Sequence, residues 1–460
     1  MKKYNFILIL IISLISKTIL LHAQIATPVE ICSTYVNYAT AYSNGHKIAN
    51  LGSAIPDTIY VVYSYKEDTI HIAYSHDGGT TWHSQSFWAT LFDNAHFPSL
   101  DVYDKSPWVV SEGDSAGIGE IFLMNPFVAG FPERISHTPG HSTLPAIAID
   151  STGNMHIVWQ DNTPGNWDIY YKSTLSDTLN LSNDSLASDM YPSISIFNGN
   201  EVHVIWERYE PISDSPYSII HRYLKDDIWS DKEFLAEPTY IPLHHPSLDF
   251  SHGEDSLSAA WEDSSAGKLD AYFYGGNGGN MPTSGNSRYP VVSTMGNIWS
   301  YIYWEDNSDG YNDIFARTYY FIGGGWSFYK FREYFADEDM HYPSVADCYV
   351  VWTQGDLPPY KVMFADEGLP CGIEEPETPT SLELKVYPNP FIESVTINLS
   401  SSTGENFQLK IYDITGTLVR ELPTNEKTWD GRNSKGEAAQ SGIYIFKAEG
   451  YKPAKAIKLL

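Results

Sequence analysis

One pattern recurs six times along the middle of this chain and leaves few folds open. A proline opens a short apolar strand at Pro98-Ser99-Leu100-Asp101, Pro145-Ala146-Ile147-Ala148, Pro192-Ser193-Ile194-Ser195, Pro246-Ser247-Leu248-Asp249, Pro290-Val291-Val292 and Pro343-Ser344-Val345. The first and last of these prolines are 245 residues apart, a mean spacing of 49. A second apolar strand follows and ends in Trp159, Trp206, Trp261, Trp304 or Trp352, with Ser111 taking that place in the first copy. A third strand comes next, as in Asp168-Ile169-Tyr170-Tyr171 or Asp313-Ile314-Phe315. A degenerate earlier copy runs from Ile48 through Tyr60-Val61-Val62-Tyr63 to Ile70-His71-Ile72-Ala73-Tyr74.

Repeats with period-2 alternation and Gly, Asn and Asp turns exclude helical solenoids. A meander of three or four strands cannot bury both faces alone, whereas copies arranged around an axis bury each other. The expectation is an all-β chain with a seven-bladed β-propeller, six or eight blades being the alternatives. Aromatic residues at 14% suit pleated surfaces. The repeated Trp is expected to pack between blades.

The two ends differ from the middle. Lys2 and Lys3, the apolar run Phe6 to Ile15 and Leu21-His22-Ala23 read as a cleaved secretory signal, residues 1–23. Lys17 interrupts the apolar stretch short of a membrane span, and no later segment is long and apolar enough to be one. Residues 383–460 hold 10 basic and 9 acidic residues, and the leader holds three lysines. Residues 24–382 are left with 15 basic against 48 acidic residues. So acidic a surface argues against nucleic-acid partners. Glu374-Glu375-Pro376-Glu377-Thr378-Pro379 marks a linker, residues 371–382, between a propeller at 24–370 and a small β-domain at 383–460.

That last domain carries Tyr387-Pro388-Asn389-Pro390, the turn Asp413-Ile414-Thr415-Gly416, the loop Trp429-Asp430-Gly431, the strand Ser441-Gly442-Ile443-Tyr444 and the tail Lys455-Ala456-Ile457-Lys458. In this order they resemble the C-terminal sorting domain of type IX secretion cargo. The resemblance implies an Ig-like β-sandwich, recognition of residues 383–460 by the outer-membrane machinery, and release or surface attachment outside a Gram-negative cell. Within the repeats, Ser75-His76-Asp77-Gly78-Gly79-Thr80-Thr81-Trp82 resembles the Asp-box of sialidase-like propellers. There Ser75, Asp77, Gly79, Thr81 and Trp82 would form a self-satisfied hairpin with a structural role. The sialidase chemistry itself does not carry over. The middle region has only six arginines, and no F/Y-R-x-P stands near its start.

Three blades share W-[QE]-D-[NS]-[ST]-x-G-x-x-D, which pairs Asp161 with Asp168, Asp263 with Asp270 and Asp306 with Asp313. Such carboxylates either hold Ca²⁺ or close turns; a repeated element favours the turns, and no other cofactor is expected. The residues just before the prolines are His96-Phe97, Met190-Tyr191, His244-His245, Arg288-Tyr289 and His341-Tyr342. In a propeller they would ring one mouth of the central channel, either as a ligand platform or as a plug. The histidines lie on separate blades, which argues against one transition-metal site. Of three cysteines, Cys32 and Cys371 would meet if the ring closes, a bridge weighed against three free thiols, with Cys348 a buried thiol.

The leading functional expectation is a secreted or surface propeller that binds an extracellular glycan or protein. The alternatives are a glycoside hydrolase with carboxylates on inner strands and a purely structural surface protein.

Overall fold

The computed structural model describes residues 28–42, 44–51, 58–88, 93–128, 130–250, 257–275, 278–295, 299–308, 310–322, 325–334, 337–366, 382–387, 391, 394–399, 409–413, 418–422, 427–448, 451–452 and 454–459. The leader and Cys371 fall outside them, as does the linker save Leu382. The chain divides into two compact units, residues 1–371 and 372–460. Among the described residues every regular element is a strand.

The first unit holds seven antiparallel sheets built in chain order. Their innermost strands are Ile48–Asn50, Asp93–Tyr103, Ser142–Ile149, Ser188–Phe197, Leu243–Phe250, Ser287–Met295 and Met340–Ala346, for blades one to seven. Blade seven takes its outermost strand from the other end of the chain. Val29–Thr34 pairs with Tyr360–Asp366, with Val29 opposite Phe364 and Thr34 opposite Tyr360.

Alternation along each strand puts neighbouring residues into different seams. Val158 belongs to the core between blades three and four, while Ile157 and Trp159 belong to the core between two and three. Each repeated Trp faces the preceding blade in this way. Trp159, Trp206, Trp304 and Trp352 are fully buried, and Trp261 nearly so. One position breaks the rule. Lys47 occupies the innermost-strand place taken elsewhere by Leu100, Ile147, Ile194, Leu248, Val292 and Val345, and it is buried. Its ammonium donates to Gly45 O at 3.1 Å, and burial lowers its pKa to about 7.

The innermost strands of adjacent blades are not hydrogen-bonded to each other as a sheet, so their N–H groups need other acceptors. Side chains supply them. Ser99, Ser193, Ser247 and Ser344 accept from Ile147, Leu248, Val292 and Lys47 of the next blade at 3.4, 3.3, 3.3 and 2.9 Å. Lower in the channel, Asp101 accepts from Ile149 N–H and Asp249 from Thr294 N–H, at 2.7 and 2.8 Å. Where a serine follows the proline, as at Ser99, Ser193, Ser247 and Ser344, it therefore ties one blade to the next.

The cysteine expectation is corrected on both counts. Ring closure does bring the two ends together, but Cys32 carries a free thiol. It pairs in register with Val362 and is packed into the seam beside Tyr63, where burial pushes its pKa up to about 12. Cys348 is the residue engaged in a disulfide, its partner outside the described residues.

In the second unit, Leu382–Tyr387, Val395–Leu399, Thr428–Trp429 and Tyr451–Lys452 form one sheet. Leu409–Asp413, Leu418–Leu422, Gly442–Ala448 and Ala454–Lys458 form the other. Trp429, Phe391, Ile411 and Phe446 fill its core. The basic tail is not free: Ala454–Lys458 is a strand paired with Gly442–Ala448.

Candidate functional site

The residues before the prolines lie inside the innermost strands, not ahead of them. Each strand breaks register there: between His96 and Ser99, Thr143 and Ala146, Met190 and Ser193, His244 and Ser247, Arg288 and Val291, and His341 and Ser344. At each bulge the residue before proline has positive φ: Phe97, Leu144, Tyr191, His245, Tyr289 and Tyr342, at 47 to 52°. Left-handed geometry is costly for a side chain with a Cβ, and a residue before proline is normally extended. Something must hold six such residues in place.

For five of the six, Phe97 aside, the holder is the residue that follows the repeated Trp or, in blade two, Ser111. Leu144 N–H donates to Glu112 at 3.2 Å, Tyr191 N–H to Gln160 at 2.9 Å and His245 N–H to Glu207 at 2.9 Å. Tyr289 N–H donates to Glu262 at 2.9 Å and Tyr342 N–H to Glu305 at 3.4 Å. Each bond crosses from one blade to the next. At the seventh seam Thr353 Oγ1 accepts Thr40 N–H at 3.1 Å. Three of these acceptors, Gln160, Glu262 and Glu305, are the Glu or Gln of W-[QE]-D, whereas Glu112, Glu207 and Thr353 stand outside that motif.

Histidines reinforce three carboxylates. His245 Nδ1 lies 2.8 Å from Glu262, His341 Nδ1 3.2 Å from Glu305 and His244 Nδ1 3.4 Å from Glu207. The hydrogen bond to Glu207 raises the pKa of His244 above the usual value. For His341, burial alone would lower it, but the bond and charge of Glu305 raise it. Glu262 is depressed although burial opposes this, because His245 and Tyr289 N–H donate to it. Arg288 is exposed at the rim.

Phe97, Tyr191, His245, Tyr289 and Tyr342 converge around a residue that carries no repeat signature, Tyr42. Its ring centroid lies 5.0 Å from Phe97, 5.7 Å from Tyr342, 5.9 Å from Tyr191, and 6.0 Å from both His245 and Tyr289. Tyr42 and His245 are nearly parallel. The arm that carries Tyr42 precedes blade one. Thr40 Oγ1 donates to Tyr342 O at 2.8 Å, and Asn44 donates to Leu144 O and Pro192 O at 3.2 and 3.1 Å. Gly45 lies where a Cβ would come within 2.9 Å of Ser99, so only glycine passes. The mouth is thus a floored aromatic cup, with Met190 and His96 on the strands beside it.

The other end of the channel is a cavity of about 490 Å³ lined by His46, Asp101, Ser195, Asp249, Ser293 and Asp347. Burial raises the Asp101 pKa to about 6, although the Val102 and Ile149 N–H groups donate to it.

The paired aspartates of the repeated loop stay on their own blades. Asp161 accepts from Ser142 Oγ and Thr163 N–H, and Asp306 from Ser287 Oγ and Ser308 N–H, at 2.7 to 3.0 Å. Asp263 accepts from Ser265 N–H, Asp168 from Asn180, and Asp270 from Lys268. Asp313 is buried. Among the described residues no group of three or more His, Cys, Asp or Glu side chains is arranged to hold a metal ion.

The turn at Ser75 to Trp82 satisfies itself. Asp77 accepts from Ser75 Oγ, Thr81 N–H and Thr81 Oγ1 at 2.6 to 2.8 Å, and Trp82 Nε1 donates to Gly79 O. The Thr81 hydroxyl and N–H, with Ser75, hold the Asp77 carboxyl down at about 2. Gly79 has positive φ and abuts Phe364 of blade seven.

These features define a seven-bladed β-propeller with an aromatic mouth braced by interblade hydrogen bonds. Residues 385–460 match the secretion system C-terminal sorting domain, and the chain is type IX secretion cargo, exported to the cell surface or beyond it. A search of curated proteins finds no match. Among solved structures, an ulvan lyase from a new family of polysaccharide lyase aligns at 12% identity and a TM-score of 0.54, over 74% of this chain and 96% of its own. The same kind of lyase bound to GlcA(1-4)Rha3S aligns at 13% with equal coverage and TM-score. The alpha-L-arabinofuranosidase of Fusarium graminearum with arabinobiose aligns at 13% over 64% of this chain and 97% of its own, with a TM-score of 0.41. Among the described residues no helix is long and apolar enough to cross a membrane.

Proposed function

We propose that this exported propeller recognises an extracellular glycan at the aromatic mouth. The observation that carries the reading is the cup itself: five rings from five blades around Tyr42, four of them, Tyr191, His245, Tyr289 and Tyr342, each fixed by its own interblade hydrogen bond. Aromatic faces stack on sugar rings, and fixed carboxylates and imidazoles accept or donate to hydroxyls. A preorganised platform loses little entropy on binding.

A second reading is cleavage of the bound glycan. It is favoured by the His245–Glu262 pair beside Tyr191 and Tyr289, whose rings lie 4.6 and 4.7 Å from His245. An imidazole held by a carboxylate beside phenols can move protons. The ulvan lyases lend this reading their fold and nothing more.

The test is a polysaccharide panel incubated with the mature full chain. Retention on one glycan class, lost in Tyr289→Ala and Tyr342→Ala, supports recognition. New reducing ends or unsaturated products that disappear in His245→Ala select cleavage. Neither retention nor product with any glycan sinks both.

A further inference from the structure

Blade four departs from the loop that three other blades share. Where they read W-[QE]-D-[NS], it reads Trp206-Glu207-Arg208-Tyr209. In blades three and six the residue at the Tyr209 position closes the turn: Asn162 Oδ1 accepts His141 N–H and Asn307 Oδ1 accepts Asn286 N–H, both at 2.8 Å. Blade four closes its turn without that side chain. Glu210 N–H donates to Pro216 O at 2.8 Å, and Ser213 N–H to Glu210 O at 3.0 Å. Arg208 anchors the strand end, with two nitrogens each 2.8 Å from the Asp189 carboxylate and the third 3.2 Å from Asp184. Tyr209 is thereby left as an exposed ring at the end of its strand. A repeat that departs from its own rule and still satisfies its backbone marks a place where function is expected.

That ring is the outer end of a strip. Tyr209 pairs in register with Tyr217, and their ring centroids are 5.2 Å apart. Tyr217 lies 6.0 Å from His244, and His244 lies 6.1 Å from His245 of the cup. All four rings keep part of their surface exposed. Tyr240, exposed as well, follows Thr239, which pairs with Tyr217. Beyond Phe97 the rings also continue: Tyr38 of the arm lies 6.0 Å from Phe97 and 5.9 Å from His96. Phe97 and His245 belong to blades two and five, three places apart around the ring, and both contact Tyr42. Aromatic surface therefore leads away from the cup in two directions. A site for one terminal sugar needs neither extension, whereas a chain laid across the mouth meets a ring at each step.

Resting on the glycan reading above, we propose that the mouth binds the inner units of a polysaccharide chain, which passes Tyr38, crosses the cup and leaves along His244, Tyr217 and Tyr209. Tyr209 and Tyr217 set the preference for long chains, because only a chain that overruns the cup reaches them.

The experiment titrates the mature full chain with the disaccharide, tetrasaccharide and octasaccharide of mannan, xylan and galacturonan. In a series that binds, the octasaccharide should bind at least about tenfold tighter than the disaccharide. Tyr209→Ala should weaken the octasaccharide about tenfold and leave the disaccharide unchanged. Because Tyr209 is exposed and its turn is closed by backbone, this replacement reads binding and not folding. Tyr209→Phe keeps the ring and should keep the affinity. Tyr311→Ala, which removes an exposed ring from the loop of blade six, should change neither ligand. An affinity independent of chain length, or an octasaccharide that Tyr209→Ala does not weaken, overturns the proposal and leaves the cup as a platform for a single sugar. Binding in none of the series removes the platform along with it.

Discussion

The two ends of the channel use one hydrogen-bonding device on different linings. At the mouth, glutamates and one glutamine accept the N–H of the next blade's strained residue, and aromatic rings project inward. At the far end, aspartates and a serine do the same for Ile149, Thr294 and Asp347, and the lining is mixed, with Tyr103 and Phe250 among aspartates, serines and aliphatic residues. The device alone is therefore architecture. What distinguishes the mouth is the positive-φ bulge it stabilises, which turns a side chain out of the blade and over the axis. The arm fills the mouth's centre with Tyr42 and leaves the far cavity open.

This contrast predicts different consequences for equivalent lesions. Glu262→Ala removes the acceptor of Tyr289 N–H and of His245; it should cost about 3 kcal/mol in urea unfolding and abolish glycan retention. Asp249→Ala strands Thr294 N–H and Phe250 N–H at the far end, and should cost about 2 kcal/mol while retention is unchanged. Loss of retention in that variant would erase the distinction between the two ends.

Lys47 offers a gain instead of a loss. Its folded pKa is about 7 against an ordinary 10.5, so the unfolded chain binds the extra proton between those values. Stability should rise with pH across that window, and the burial cost is fully present below pH 7. Lys47→Met should raise stability by about 2 kcal/mol at pH 6, with the gain shrinking toward pH 10.5. A gain independent of pH would show that packing, not charge, sets the cost. The smallest effect is expected from Tyr42→Ala, a loss of binding of about tenfold with a smaller fall in Tm than Glu262→Ala.

Much of this could be read from residue order. The proline spacing placed the innermost strand of six blades and the Trp spacing the next strand of five, because burial on both faces forces apolar residues at regular intervals. Blade one lacks both markers and was legible only through Tyr60 to Tyr74. The closing strand Val29–Thr34 was not, since its partner is remote and no local pattern records the pairing. The candidate mouth residues were named from position, but their conformation was not, because residues before proline are ordinarily extended. Tyr42 stayed hidden for a related reason: it belongs to no repeat. The disulfide was assigned to the wrong cysteine because meeting ends were equated with meeting thiols. Cys32 comes close to the end of blade seven, yet its sulfur is committed to Tyr63.

The closing strand also sets an order of events. Val29 must wait for Phe364, 335 residues later, so the ring's contact order is high and its last seam forms only when nearly the whole propeller has been made. Until then blade seven offers a bare edge, the kind of surface that pairs with the wrong chain. The sorting domain follows in the sequence, after the linker. Placed there, the address is translated after Tyr360–Asp366, and it becomes readable only once the strand needed to seal the cargo already exists.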